Sequence, residues 1–144
     1  MDKAAYMQAY VGVVPQPCAF RKGILARCVS CDYMQKVDIA EREAITCKSA
    51  DRLSRCNILH EHLIHGFSFA QKRLRDDIPL THAQSMRIQC GGLQGLKYIL
   101  AESCEVENVD ALVDLALQKW ETFEQIPYSE IVHVSAQCYK GRHG

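Results

Sequence analysis

The chain lacks the features that would tie it to a membrane or to nucleic acid by composition alone. Its apolar runs all fall short of the roughly 20 residues that a membrane-spanning helix needs. Lysine plus arginine equals aspartate plus glutamate at 17 each, so no overall charge attracts a nucleic acid. The first residues contain no long apolar core of a signal peptide. We therefore expect a cytoplasmic protein without a membrane interaction, in which nucleic-acid binding would need a local basic patch.

The sequence motifs of nucleotide-binding and hydrolytic sites are also missing. The chain has no G-x-G-x-x-G, no Walker A loop, no G-x-S-x-G elbow and no H-E-x-x-H helix. The run His60-Glu61-His62 has the wrong spacing for a zinc-protease helix. Any catalysis would have to use residues that meet only in the folded chain, so we expect a binding or redox protein rather than an enzyme that turns over a substrate by itself.

Length and composition fit a single domain, residues 1–144. Of the residues, 48% are hydrophobic and 24% are charged, which is an ordinary globular mix that supports a core. Helical periodicity predicts an all-α fold, a compact bundle of about four to five helices with an irregular cysteine-bearing N-terminal region. We divide the chain into an extended arm at 1–19, a metal- or cluster-binding region at 20–57 and a helical body at 58–138.

Capping residues and apolar steps locate two helices in the middle of the chain. Ser49 can cap a long helix over 52–74, where apolar residues recur at steps of three and four. Thr81 can cap the next helix, which carries Cys90 on its apolar stripe. The adjacent glycines at 91–92 disfavour helix by about 1 kcal/mol each, so they predict a kink or a close approach to the backbone.

Three further helices are expected. One is capped by Asn108 or Asp110 and runs to Phe123, and the last spans 128–137. A short helix is also predicted over 38–47, before the long one.

Cysteine is abundant, with eight residues in 144. Small secreted domains use such counts for disulfides, whereas proteins of reducing compartments use them for metals. Because no signal peptide is evident, we favour a metal or cluster over a disulfide framework and over unligated buried thiols. Cys104 is expected in the core, and Cys18 and Cys138 are expected to be free or a weak ligand pair.

Four of the cysteines form the candidate site. Cys28, Cys31, Cys47 and Cys56 follow the pattern C-x2-C-x15-C-x8-C, and four thiolates are the full ligand set of a structural zinc or an iron–sulfur cluster. Zinc ribbons place a second close pair where this chain has a gap of eight residues. Iron–sulfur spacings vary more between families, so we predict a [4Fe–4S] cluster, with zinc as the alternative.

Two alternate ligands are also considered. His60 lies one helical turn after Cys56 and could close a Cys3His zinc site that leaves Cys47 free. Cys90 stands beside the glycine pair and could replace Cys47 or Cys56, or could be a small core residue.

The sequence leaves three functions open. The first is electron transfer or redox sensing through the cluster, with a redox partner protein. The second is a zinc-stabilised helical interaction module that binds nucleic acid or a protein. The third is a thiol-dependent enzyme with Cys90 or Cys47 as the nucleophile.

Overall fold

The structure is a computed structural model that describes residues 16–40, 42–70 and 79–140. These residues are mostly helical, which confirms the predicted helical character, but the fold also has a small sheet. A π-helical segment at Arg87–Gly92 and a 3-10 turn at Phe123–Gln125 lie among the α-helices. The α-helices are α1 (Arg21–Leu25), α2 (Ala50–Ala70), α3 (His82–Met86), α4 (Leu93–Ala101), α5 (Val109–Trp120) and α6 (Tyr128–Cys138).

The sheet is an antiparallel hairpin of β1 (Met34–Ile39) and β2 (Arg42–Cys47). The prediction of a short helix over 38–47 is therefore wrong. Ala40 adopts a φ of 51°, which reverses the chain where the helix would have continued. The side chain of Ile45 is fully buried, and burial of a β-branched residue on one face of a hairpin outweighs the helix propensity of the nearby glutamate and alanine.

The predicted arm at 1–19 is described only from residue 16 onward, and its earlier part lies outside the described residues. Pro17 forms an isolated antiparallel bridge with Thr46. The backbone N–H of Cys18 donates a hydrogen bond to the carbonyl of Ile45 over 2.9 Å. The end of the arm is therefore packed along β2, and this pairing fixes the position of Cys18.

The long helix α2 begins where the sequence predicts. The hydroxyl of Ser49 accepts a hydrogen bond from the N–H of Arg52 at 3.3 Å, which confirms the predicted cap. The predicted end of this helix, 71–74, lies outside the described residues. No helix within the described ranges is long and apolar enough to cross a membrane. The inner face of α2 buries Leu53, Cys56, Leu59, Leu63 and Phe67.

The helix predicted after Thr81 is present as a continuous run of α3, the π-helical segment and α4. Thr81 and Gln84 form a capping box, with hydrogen bonds of 2.9 and 3.1 Å between each side chain and the other residue's N–H. A Cβ on Gly92 would lie 3.2 Å from a methyl of Leu63. The expected close approach at the glycine pair is therefore present, and α2 is the element that approaches.

The last two helices match their predictions with small differences. α5 ends at Trp120, and Phe123 belongs to the 3-10 turn instead. Asn108 occupies the N-cap position, but its side chain does not cap the helix. It accepts a hydrogen bond from the N–H of Asp32 and donates one to the carboxylate of Asp32, each at 3.0 Å. Asn108 thereby attaches the loop before β1 to the start of α5.

Candidate metal centre

The cysteines divide into two bonded pairs and four free thiols. Disulfides join Cys28 to Cys90 and Cys104 to Cys138. Cys28 and Cys90, a predicted ligand and its alternate, are thus not free thiols in this structure, and neither is Cys104 or Cys138. The preference for metal ligation over disulfides therefore does not hold for these two pairs. The free thiols are Cys18, Cys31, Cys47 and Cys56, which include the other three predicted ligands.

Four different segments deliver the four free thiols. Cys47 is the last residue of β2 and pairs with Met34, which follows Cys31 by three residues. The bridge between the arm and β2 brings Cys18 beside the same strand end. Cys56 faces inward from α2 and is buried. The hairpin and α2 therefore direct all four thiols toward one region, which we call the thiol cluster.

Each free thiol lies close enough to the others to affect their ionisation. The pKa of Cys56 is raised to about 12, mainly by burial and to a smaller extent by negative charge on Cys18, Cys31 and Cys47. Burial likewise raises the pKa of Cys18 to about 11, with a smaller contribution from Cys31 and Cys47. Cys18 and Cys56 are therefore neutral thiols near pH 7 in the absence of a metal, and their nucleophilicity is low.

Backbone amides point at two of the sulfurs and partly oppose the effect of burial. The N–H of Phe20 donates to the sulfur of Cys18 and lowers the pKa of that thiol. The N–H groups of Tyr33 and Asp110 do the same for Cys31, although burial leaves its pKa raised overall. Such donors stabilise negative charge on sulfur, which is what a metal-bound thiolate carries.

An ion-pair network borders the thiol cluster. Asp110 of α5 is almost fully buried and accepts hydrogen bonds from Arg52 and Arg55 of α2, the latter at 3.0 Å. Arg55 also pairs with Asp114 at 2.6 Å. The guanidinium of Arg52 lies 4.5 Å from the centroid of the Tyr33 ring. The network holds α2 against α5 and against the loop that carries Cys31.

His60, the alternate ligand on α2, has a different environment. Its ring meets the ring of Phe20 edge to face, with 5.4 Å between centroids. Burial lowers the pKa of His60 to about 4, and the positive charges of Arg21 and Lys22 contribute to the decrease. His60 is therefore neutral at pH 7 and packs against an aromatic ring.

The thiol cluster is not a finished metal site. In the part of the chain that the structure describes, no group of three or more His, Cys, Asp or Glu side chains has the arrangement needed to hold a metal ion. Binding would have to draw the sulfurs together. The donor chemistry nevertheless fits a soft metal or an iron–sulfur cluster, because the four groups are thiols and amides already face two of them.

Cys18 is predicted to be free or to form a weak ligand pair with Cys138; it is free, but the sequence does not place it with Cys31, Cys47 and Cys56. Its distance of 13 positions from Cys31 corresponds to no familiar ligand spacing, and only the pairing of Pro17 with Thr46 brings it to the cluster. Comparisons of the chain with protein-family models, with curated proteins and with solved structures find no match.

Proposed function

We propose that Cys18, Cys31, Cys47 and Cys56 bind a [4Fe–4S] cluster and that the protein acts in electron transfer or redox sensing. The observation that carries the proposal is the convergence of four unpaired thiols from four segments, in which Cys18, Cys31 and Cys47 all contribute to the raised pKa of Cys56. Thiolates in sets of four are the usual ligands of such clusters.

The spacing of these thiols favours a cluster over a structural zinc. The set reads C-x12-C-x15-C-x8-C, so no two ligands come from a single tight turn. Structural zinc sites are usually built from close pairs, whereas the spacing of iron–sulfur ligands varies more between families. The close pair of the sequence, Cys28 and Cys31, is divided in this structure because Cys28 is bonded to Cys90.

The surrounding residues would tune the bound group. A [4Fe–4S] cluster supplies a one-electron redox couple when bound. Phe20 and Ile45 are fully buried beside the ligands, and an apolar shell of this kind affects the reduction potential by lowering the local dielectric constant. The amide donors to Cys18 and Cys31 would stabilise the more negative, reduced state. A redox partner protein belongs to this proposal.

The thiol-enzyme alternative has less support from the geometry. Cys90 is fully buried and bonded to Cys28, so it is not available as a nucleophile in this structure. Cys47 is also buried, and its thiol donates a hydrogen bond to the carbonyl of Ser49 at 3.3 Å. Neither position has the exposed, activated thiol that nucleophilic catalysis uses.

The test is a metal analysis of the whole protein and of two matched variants, all purified without oxygen. Wild type should show broad absorbance near about 400 nm and contain roughly four irons and four sulfides per chain. C18S should lose most of the iron, and C28S should keep it, because Cys28 is not one of the four free thiols. Circular dichroism shows whether each variant is folded.

Each other result leads to a different conclusion. Loss of iron in C28S but not in C18S would support the ligand set predicted from the sequence, which contains Cys28 in place of Cys18. Stoichiometric zinc without colour would favour the zinc-stabilised interaction module. Wild type with neither iron nor zinc, even after anaerobic reconstitution with iron and sulfide, would overturn the metal proposal.

A further inference from the structure

The Cys28–Cys90 disulfide lies at the junction of α1 with the π-helical segment. The side-chain oxygen of Gln89, buried next to Cys90, accepts hydrogen bonds from the N–H groups of Lys22 and Gly23 at 2.9 and 3.1 Å. The disulfide adds a covalent connection at the same junction, between the loop that follows α1 and the π-helical segment. The two cysteines differ in accessibility, because Cys90 is fully buried whereas Cys28 is half-buried.

Cys28 is reachable from two surface cavities. One, of about 480 Å³, is lined in part by Arg27, Lys36, Glu105 and Glu107, so its charges are mixed. The other has a volume of about 490 Å³, which is large enough for a small organic ligand, and we call it the thiol cavity. Its walls include Lys22, Leu25, Cys28, His82, Met86 and Tyr139.

Within the described ranges, the wall of the thiol cavity has basic groups and no acidic ones. Lys22 and His82 lie in it, and none of the described carboxylates does. Tyr139 also lines an adjacent cavity of about 430 Å³, whose charged residues are Arg87 and Lys140. Among the described residues, Lys22, Arg87 and Lys140 take part in no ion pair. In a chain with equal numbers of basic and acidic residues, this surface is locally positive.

We propose that the thiol cavity binds a small anionic thiol, such as a carboxylate-bearing peptide thiol, which exchanges with the Cys28–Cys90 disulfide. The positive groups attract the carboxylate and place the thiol beside Cys28, the more exposed cysteine of the disulfide. This site is separate from the thiol cluster, and the inference does not depend on a bound metal.

The exchange has two balanced steps. In the first, the small thiolate attacks Sγ of Cys28, the bond to Cys90 breaks, and Cys90 leaves as a thiolate that takes a proton from solvent. In the second, another small thiolate attacks the small-molecule sulfur of the mixed disulfide and releases the Cys28 thiolate, which is also protonated. Two small thiols are thereby oxidised to one disulfide, and the protein disulfide is reduced to two thiols.

The first test measures how the charge of the thiol affects the rate of reduction. The protein is treated with 3-mercaptopropionate, 2-mercaptoethanol or cysteamine, and reduction of Cys28–Cys90 is followed by alkylation and peptide mass spectrometry. Each rate per thiolate is divided by the rate of the same thiol with a small uncharged disulfide, which removes differences in intrinsic nucleophilicity. The anionic thiol should react fastest and the cationic thiol slowest, with about a tenfold spread at low salt that shrinks at high salt.

A charge reversal in each of the two cavities locates the binding surface. K22E, in the thiol cavity, should slow reduction by 3-mercaptopropionate severalfold and leave reduction by 2-mercaptoethanol unaffected. K36E makes the same change in the mixed-charge cavity and should have little effect. Equal rates for the three thiols, or equal slowing by K36E and K22E, would overturn the proposal.

A second test identifies the sulfur that is attacked. C90S leaves Cys28 unpaired, and glutathione disulfide should convert it to a mixed disulfide. C28S leaves Cys90 unpaired in a buried position, where the same reagent should react at least tenfold more slowly while the protein remains folded. Modification of Cys90 as fast as of Cys28 would contradict the assignment. If C90S does not fold, the rate comparison on wild type still decides.

Discussion

Substitution of Asp110 tests how the helices beside the thiol cluster are held together. In D110N the shape of the side chain is kept, but the charge that pairs with both Arg52 and Arg55 is lost. The side chain of Asp110 is only 7% exposed, whereas those of the two arginines are 36% and 28% exposed. The arginines can therefore regain some hydration, which reduces the cost below that of a fully buried pair.

We expect D110N to lower the free energy of unfolding by about 2–3 kcal/mol, below the 3–5 kcal/mol typical of breaking a fully buried pair. D114N is the matched control, because among the described residues Asp114 pairs with Arg55 alone, and its side chain is 45% exposed. Its cost should be about 0–1 kcal/mol and should decrease further at high salt.

The assay is urea unfolding of the metal-free protein, followed by circular dichroism, with comparison of midpoints at equal slope. Equal losses in D110N and D114N would refute the argument that burial of Asp110 makes this pair important. A second readout is available because the charge of Asp110 raises the pKa of Cys31 and Cys56, as a smaller effect than burial. D110N should therefore speed alkylation of Cys31, the more exposed of the two, near pH 8.

Two further predictions concern the helical body and the pH response. A Cβ on Gly95 would lie 2.8 Å from the carbonyl oxygen of Ile131, so G95A should push α4 away from α6 and lower the urea midpoint. G91A is the control, because a Cβ there has its nearest contacts at 3.4 Å and should have a much smaller effect. Equal effects of the two substitutions would contradict this packing. The pKa of His60 falls from 6.5 to about 4 on folding, so the unfolded chain binds the proton more readily than the folded chain. Protonation of His60 therefore has no effect on stability above pH 6.5 and destabilises the fold progressively as the pH falls toward 4. H60Q should weaken the pH dependence of the urea midpoint between pH 6.5 and 4. If the dependence is the same in H60Q, His60 is not the cause of the loss of stability at low pH.

Local patterns predict the helices well and the hairpin poorly. Ser49 and Thr81 satisfy helix N-termini through contacts within a few residues, so their roles can be read from the sequence. Between 38 and 47 the local propensity favours helix, and the strand forms because β2 pairs with β1 and with the arm. The hairpin pairs are local, but the bridge from the arm joins Pro17 to Thr46 across 29 positions, and no local rule contains that contact.

The candidate site, too, could be predicted from the sequence only in part. Cys31, Cys47 and Cys56 could be proposed from their sequence pattern, and all three are free thiols. The fourth free thiol, Cys18, depends on the arm reaching β2. Cys28 resembles a ligand by its distance from Cys31, yet its partner in the structure is Cys90, 62 residues away. A pairing over that separation cannot be deduced from spacing.

The two disulfides bear on how the chain would respond to loss of a metal. They close loops of 62 and 34 residues, and each should reduce the conformational entropy of the unfolded chain by an amount worth about 4 kcal/mol. One fastens the loop after α1 to the middle of the chain, and the other fastens the loop after α4 to the end of α6. Small zinc domains unfold when the ion is removed because the ion alone connects their segments. Here covalent links already connect the segments, so we expect metal loss to loosen the hairpin end locally while the helical body stays folded.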